Sequence, residues 1–405
     1  MVEDLGGVED AGSASRAHRV SARHAHRGRP NPVGLILGTV ASVLAILLIA
    51  SAAVGAVVWN TFSKRLEATI VKISETDAPP PDLGAIEGGF NILIVGSDTR
   101  EGANNIDGSD TDGVLNDVNI LLHVAQDQQS AVVVSFPRDL KIPYPDCAIG
   151  GDGKINSVLY WGELGCVVQT VSEFSGLPIQ FAAMVTFDGV IQMSDAIGGV
   201  DVCVGGPIQD ADTGLNIGAA GTYNLQGFYA LAFLRTRGAV GDGSDLSRVS
   251  SQQVYLSSLI RKVKSDGTLG DIGKLLGLSQ AALSNLTLSA GLADPYTLMQ
   301  IALVLKNIPL NRVTFTQFPT YGGDTSGHGY FFPSDSGYTL FDYIRADQPF
   351  VLPQVGDDRG STVDPNGALT EEQQAQLADN TGLPVLDGVT GQTAADFSCS
   401  VPYYG

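Results

Sequence analysis

Three arginines, Arg235, Arg237 and Arg248, fall within fourteen residues in the stretch LRTRGAVGDGSDLSRVSSQQV, residues 234–254, which contains no lysine. A guanidinium is planar, permanently charged and able to grip a phosphate with two donors at once. Asp245 stands where it would cap a helix, and that helix would carry Arg248 and Gln252, four apart, on one face. Arg235 and Arg237 are two apart at the end of ALAFLRTR, so an extended backbone there would point both the same way. Upstream, Asp98 lies just past NILIVG (91–96), Asp117 just before VNILLHVA (118–125), and Arg138 just after AVVVSFP (131–137). The turn QDQQS joins the second and third of these runs as a hairpin. Strand order alone then brings Asp98, Asp117 and Arg138 to one edge of a sheet. Paired carboxylates with no thiol or imidazole beside them suit a hard cation, Mg²⁺ or Mn²⁺. The same acidic loop holds Asp107, Asp110 and Asp112, which leaves open a calcium-type loop, or Asp110 or Asp112 in the place of Asp117. Arg138, Arg235, Arg237, Arg248 and Gln252 could all serve one anion, and a pyrophosphate with its metal fits that set.

The elements that must position these groups are legible as apolar runs. The three runs above, with FAAMVTF (181–187) and GVDVCV (199–204), have strand character. CVVQTVSEFSGL (166–177) has helical spacing, and Leu256, Leu259, Ile260 and Val263 form the apolar stripe of an amphipathic helix. Strands alternating with helices indicate an α/β fold, a central mixed sheet sandwiched by helices. This main domain is expected over residues 88–350. From 351 to 405 the chain turns polar and glycine-rich, and the pattern predicts a loosely structured tail.

The N-terminal part has a different character. Residues 33–59 contain no charge and exceed the roughly 20 residues needed to cross a bilayer. A cleaved signal peptide would have a shorter apolar core, although small residues such as Ala52, Ala53 and Ala56 keep cleavage open. Arg16, Arg19, Arg23, Arg27 and Arg29 precede the span, so the N-terminus should face the cytoplasm. Residues 1–32 then form a disordered basic tail, 60–87 an extracytoplasmic stalk with the stiff linker DAPPPD, and the rest lies outside the cytoplasmic membrane. A net charge of −20 excludes a nucleic-acid surface. Five scattered histidines make no metal site. Four cysteines suit an oxidising compartment. They admit three pairings; proximity pairs Cys147 with Cys166, which leaves Cys203 to tie Cys399 and the tail to the core.

Taken in order, NILIVGSDTR, NDVNILLHV, SFPRDL, KINSVLYWG, FDGVIQMSDAIGGVDVCV and the arginine stretch resemble the LytR-CpsA-Psr family of cell-wall glycopolymer transferases, over roughly residues 88–350. The resemblance implies a membrane-anchored phosphotransferase that moves a glycan from a polyprenyl-pyrophosphate carrier to a peptidoglycan acceptor. A phosphodiester forms and polyprenyl phosphate leaves. Carried onto this chain, Asp98 and Asp117 would hold the metal, and Arg138, Arg235, Arg237 and Arg248 would clamp phosphate oxygens. Gln252 would orient them, while Lys154 and Asn156 would touch phosphate or support their loop. Ser251 departs from the family pattern, in which a further arginine is frequent. A non-catalytic lipid-binding module and a hydrolase of the same carrier are the alternatives. A transcriptional regulator is excluded by the acidic, external main domain, which has no basic recognition helix.

Deleting residues 1–59 should move the protein from the membrane pellet to the soluble fraction. A truncated chain that still pellets with membranes would contradict the span.

Overall fold

The computed structural model describes residues 70–71, 88–98, 114–265, 286–323, 329–367, 380 and 382–404. The segments 1–32 and 33–59, and all of the stalk except Ile70 and Val71, lie outside the described residues, as do Asp107, Asp110 and Asp112. Among the described residues no helix is long and apolar enough to cross a membrane.

The main sheet is mixed. Its strands are β1 (Ile70–Val71), β2 (Phe90–Gly96), β3 (Val118–Val124), β4 (Ala131–Phe136), β7 (Phe181–Val185), β12 (Leu286–Ser289), β13 (Val313–Gln317) and β17 (Gly391–Thr393). They lie in the order β1-β12-β7-β2-β3-β4-β13-β17. β2, β3 and β4 are antiparallel neighbours, so the expected hairpin is present. β7 runs parallel to β2, and β13 parallel to β4. Side chains alternate across the sheet, as strand geometry demands. Leu93 and Val95 of β2 enter one core with Phe136 and with helices α1 (Val158–Ser175) and α6 (Asp335–Arg345). Ile92 enters a second core on the opposite face, with Phe181, Leu288 and helix α5 (Pro295–Asn307), whose Ile301 and Val304 are buried. The layers are therefore helix, sheet, helix, as expected.

Several features depart from the sequence expectations. Helix α1 begins eight residues earlier than the periodic run at 166, and it is kinked at Gly162 and Glu163. A Cβ on Gly162 would stand 2.6 Å from the sulfur of Cys166 and 2.7 Å from the Cys147 carbonyl, so the kink lets the helix pass the Cys147–Cys166 disulfide. GVDVCV is not in the main sheet. It forms β8 (Val200–Val204) in a second sheet with β11 (Gly221–Leu225), β16 (Ser361–Val363) and β18 (Ser398–Ser400), in the order β11-β8-β18-β16. The remaining short strands form two-stranded antiparallel ladders of three residue pairs each: β5 (Lys141–Pro143) with β6 (Asp152–Lys154), β9 (Ile208–Asp210) with β10 (Leu215–Ile217), and β14 (Thr320–Gly322) with β15 (Phe331–Pro333).

The described residues beyond 351 are not loosely structured. They supply β16, β17 and β18, and Ser361, Gln392, Ala394, Ala395 and Ser400 are buried. Short polar strands bury well when their backbone bonds are completed by a ladder, a condition that residue hydrophobicity does not register. Ile70 and Val71, placed in the stalk by sequence, pair with Leu288 and Ser289. Both disulfides pair as expected, Cys147 with Cys166 and Cys203 with Cys399.

Phe136, Phe174, Phe318 and Phe341 interlock beneath the sheet, with Phe318 and Phe341 ring centroids 5.0 Å apart. Phe341 is wholly buried. Phe341→Ala should lower unfolding free energy by about 3–5 kcal/mol, from lost transfer energy plus a cavity. Denaturant titration would measure this, and an unchanged midpoint would remove this cluster from the stability of the fold.

Candidate functional site

The site is assembled at the edge where β2 ends, β3 begins and β4 ends. Gly96 pairs with Val118 and Asn119 with Phe136, so Asp98, Asp117 and Arg138 do meet there. Asp98 closes the neck of the acidic loop: its Oδ1 accepts from the Leu115 amide at 2.7 Å, and its own amide donates to the Leu115 carbonyl at 3.2 Å. Asp117 accepts from Arg138 Nη1 at 3.0 Å on Oδ2 and from Asn156 Nδ2 at 3.3 Å on Oδ1. The Asn156 amide donates to the Arg138 carbonyl, and the Asn116 amide donates to the Asn156 carbonyl. The KIN segment thereby stitches the loop before β3 to the loop after β4.

Helix α4 (Asp245–Ser265) brings its first turn onto the same edge. Asp245 was expected as a cap. Its carboxylate instead accepts from the Arg138 main-chain amide at 3.0 Å and lies 2.6 Å from Arg248 Nη2. Arg248 also donates from Nη2 to the Asp117 carbonyl at 3.0 Å. Asp139, next to Arg138 in SFPRDL, takes Lys154 Nζ at 2.6 Å and stands 3.8 Å from Arg138 Nε. Three cations, Arg138, Lys154 and Arg248, are thus interleaved with three carboxylates, Asp117, Asp139 and Asp245. Asp245 is 1% exposed and Arg248 6%. At that depth an unpaired charge would be very costly, so each group depends on its neighbours. Burial alone would lower the Arg138 pKa, but the carboxylates of Asp117, Asp245 and Asp139 outweigh it, and the net shift is upward. Arg138 stays charged at any working pH.

The other two arginines are carried by a different element than expected, and their contacts are with Phe187 and Gly243 rather than with the cluster at the sheet edge. ALAFLRTR does not end extended. Helix α3 (Phe228–Arg235) runs through Arg235, and only Thr236 turns out of it. An eight-residue run buried on several sides satisfies helical and strand spacing about equally, which is why spacing misled here. Arg235 stacks over the Phe187 ring, 4.5 Å from guanidinium carbon to centroid. Arg237 donates from Nε to the Gly243 carbonyl at 3.2 Å. Gln252, on α4 one turn beyond Arg248, donates to the Leu234 carbonyl at 2.8 Å, which fixes the end of α3 beside Arg235. Gln252 therefore positions an arginine-bearing helix end. Ser251, at the position where an arginine is frequent in the family, is buried and shares a hydrogen bond with Ser400.

Sequence reasoning missed Asp139, the structural role of Asp245, and Phe187. A carboxylate one residue from an arginine, or three before one, was a visible signal for the first two. The donor set of Asp98 and Asp117, all oxygen, suits a hard dication. Asp117 already carries Arg138, so an ion bound there would share that carboxylate with the guanidinium. Among the described residues, the one group of three potential ligand side chains close together is Cys203, Asp364 and Cys399, and its two sulfurs are joined as a disulfide.

The described residues thus form an α/β layer domain with three cations and three carboxylates interleaved at one sheet edge. A model of the LytR_cpsA_psr family matches residues 60–343, and the chain belongs to that family. It is 29% identical over 279 residues to the cell wall biosynthesis protein LcpA of Corynebacterium glutamicum, a match that covers 61% of this chain and 53% of LcpA. The chain thus spans about half the length of that relative. It is 27% identical over 286 residues to the polyisoprenyl-teichoic acid–peptidoglycan teichoic acid transferase TagT of Bacillus subtilis, covering 68% of this chain and 84% of TagT. Among solved structures, the LytR-Csp2A-Psr enzyme from Actinomyces oris shares the fold, with a TM-score of 0.52 and 20% identity over 68% of this chain and 95% of that one.

Arg248→Ala would leave Asp245 buried without its nearest cation. Loss of about 3 kcal/mol of unfolding free energy is expected. Equal stability of the variant and the unaltered protein in a urea titration would show that the pair does not hold this edge together.

Proposed function

We propose that this protein transfers a glycopolymer from a polyprenyl-pyrophosphate carrier to peptidoglycan, anchored in the cytoplasmic membrane by residues 33–59 with residues 60–405 outside. Family membership and the printed activity of TagT support the reaction class. The apolar span and its basic N-terminal flank support the location. The observation that carries the site is that Arg138 Nε and Arg248 Nε are buried and have no hydrogen-bond partner among the described residues, Arg138 Nε lying 3.8 Å from the carboxylates of Asp139 and Asp245. An unpaired buried donor costs roughly 1–3 kcal/mol, more for a charged group. A phosphate oxygen at the sheet edge would satisfy both.

In this reading Arg138 and Arg248 bind the pyrophosphate from the inner side, with Arg235 and Arg237 closing over it from the end of α3 and the loop beyond. Lys154 balances Asp139 at the rim, and Asn156 and Gln252 keep the clamp in register. The acceptor hydroxyl oxygen forms a bond to the glycan-linked phosphorus as it gives up its proton. The bond from that phosphorus to the bridging oxygen breaks, and polyprenyl phosphate leaves with the electron pair. Charge grows on the leaving phosphate, and that is where preorganised arginines lower the barrier. Asp98 and Asp117 would hold Mg²⁺, which when bound adds positive charge against the same phosphate oxygens.

The test supplies full-length protein in membranes with labelled polyprenyl-pyrophosphate oligosaccharide and a peptidoglycan fragment. Label should join the glycan with Mg²⁺ present and fail to join in EDTA. Arg235→Ala should lower the transfer rate roughly 10²–10³-fold with folding intact. Free sugar phosphate without joined product would indicate a hydrolase, and tight lipid binding without turnover a binding module. An Arg235→Ala protein that works at the normal rate would remove that residue from the mechanism.

A further inference from the structure

The loop between α3 and α4 carries Arg237; in its second half the Asp242 amide donates to Ser247 Oγ at 3.2 Å, the Ser244 amide to Asp242 Oδ1 at 2.9 Å, and Arg359 Nε lies 3.5 Å from the Asp242 carboxylate. The loop contains Gly238, Gly241 and Gly243 in seven residues around Arg237. Within the loop, the Val240 amide donates to the Arg237 carbonyl at 3.3 Å and the Gly243 amide to the Val240 carbonyl at 2.9 Å. The remaining backbone bonds come from a segment some 160 residues away. Gly241 donates to the Val401 carbonyl at 2.9 Å. Tyr403 donates to the Ala239 carbonyl at 2.9 Å, and Tyr404 to the Gly241 carbonyl at 3.1 Å. Val240 and Pro402 form an antiparallel bridge between these bonds.

That segment is itself fastened. Cys399 is disulfide-bonded to Cys203, and β18 pairs in parallel with β8 there. The Gly205 amide donates to the Ser400 carbonyl at 2.8 Å. The Ser400 hydroxyl meets Ser251 of α4 at 2.8 Å, with both side chains buried. On the other side of the loop, Gly241 has φ +53° and its Cβ position is filled by the Arg359 carbonyl, 2.1 Å away. Ser250 bonds Asp357 at 2.5 Å. The loop is therefore held between residues 357–361 and 400–404. The carbonyl that orients Arg237 belongs to Gly243, and a Cβ on Gly243 would touch the Tyr403 ring at 3.3 Å.

We propose that residues 400–404 are a positioning element for the phosphate site: they hold the 237–243 loop by a backbone ladder and so aim Arg237, while Ser400 seats α4 through Ser251. This rests on the phosphate-binding reading of the arginines. The bonds involved are main-chain amides, and the side chains of Tyr403 and Tyr404 are exposed. The ladder can therefore be broken at one atom. Tyr404→Pro removes the amide that binds Gly241, whereas Tyr404→Ala keeps it.

The test uses inorganic pyrophosphate as the probe, bound to the full chain in detergent and followed by calorimetry. In parallel, nitrogen-15 NMR follows the Nε–H of Arg237, whose signal should be slow to exchange while the Gly243 carbonyl accepts it. Tyr404→Pro should weaken pyrophosphate binding roughly 3- to 10-fold, the worth of one such bond, and speed Arg237 Nε–H exchange. Tyr404→Ala should match the unaltered protein in both readouts, and all three should melt together. Ser400→Ala should weaken binding in the same direction without touching the loop ladder. If Tyr404→Pro leaves both affinity and exchange unchanged, or if Tyr404→Ala is as impaired as Tyr404→Pro, the ladder does not position the arginine. If the unaltered protein fails to bind pyrophosphate, the phosphate reading falls, and the exchange of Arg237 alone then decides whether the ladder holds it.

Discussion

The carboxylate of Asp245 sits at the centre of this structure's chemistry. It is buried, it opens helix α4, and it takes both the main-chain amide of Arg138 and the guanidinium of Arg248. One side chain thus ties the end of β4 to the start of α4. A buried anion of this kind is costly to hold unless its partners are fixed in place. Two arginines offset the cost of burying Asp245, and the pairing holds them charged and in place. The surrounding acidic protein does not weaken the cluster. Asp117, Asp139 and Asp245 equalise Arg138, Lys154 and Arg248 one for one, which keeps like charges from forcing the guanidiniums apart.

Around that centre the fold divides labour by layer. The β2–β3–β4 hairpins deliver Asp98, Asp117 and Arg138 from a sheet packed on both faces. Helices α3 and α4 deliver Arg235, Arg248 and Gln252 from outside the sheet. Arg235 does not rely on an ion pair for its placement alone, since Phe187 stacks beneath it and Gln252 pins the preceding carbonyl. The KIN segment connects the two loops at the sheet edge through main-chain bonds. Each functional group is therefore fixed by at least one contact from a different element.

Much of this was legible in the sequence, and the reasons differ by element. β2, β3 and β4 are near-continuous apolar runs because they are covered on both faces, and their order alone placed three site residues together. The disulfide pairing followed from spacing. The second sheet was not legible. β16 and β18 are three residues each, too short for a period, and β8, the partner of β18, lies far off in the chain. The end of α3 was misread because eight apolar-rich residues do not distinguish 2.0 from 3.6 periodicity. Asp245 looked like a cap, since a sequence shows its spacing from Arg248 but not the backbone of Arg138 arriving from 107 residues upstream.

The placement of the last strands also governs when the molecule can become whole. β17 forms the outer edge of the main sheet, and β18 is inserted between β8 and β16 in the second. Both come from residues 391–400. A chain emerging N-terminus first has made β13 and β8 well before β17 and β18, the second neighbour of each, so each sheet waits with an open flank. Cys203 likewise has no native disulfide partner until Cys399, 196 residues later, has folded against it. Pairings that distant form late. The arginines of the sheet edge lie in the middle of the chain, yet the second sheet beside α4 is complete only when residues 398–400 have joined it.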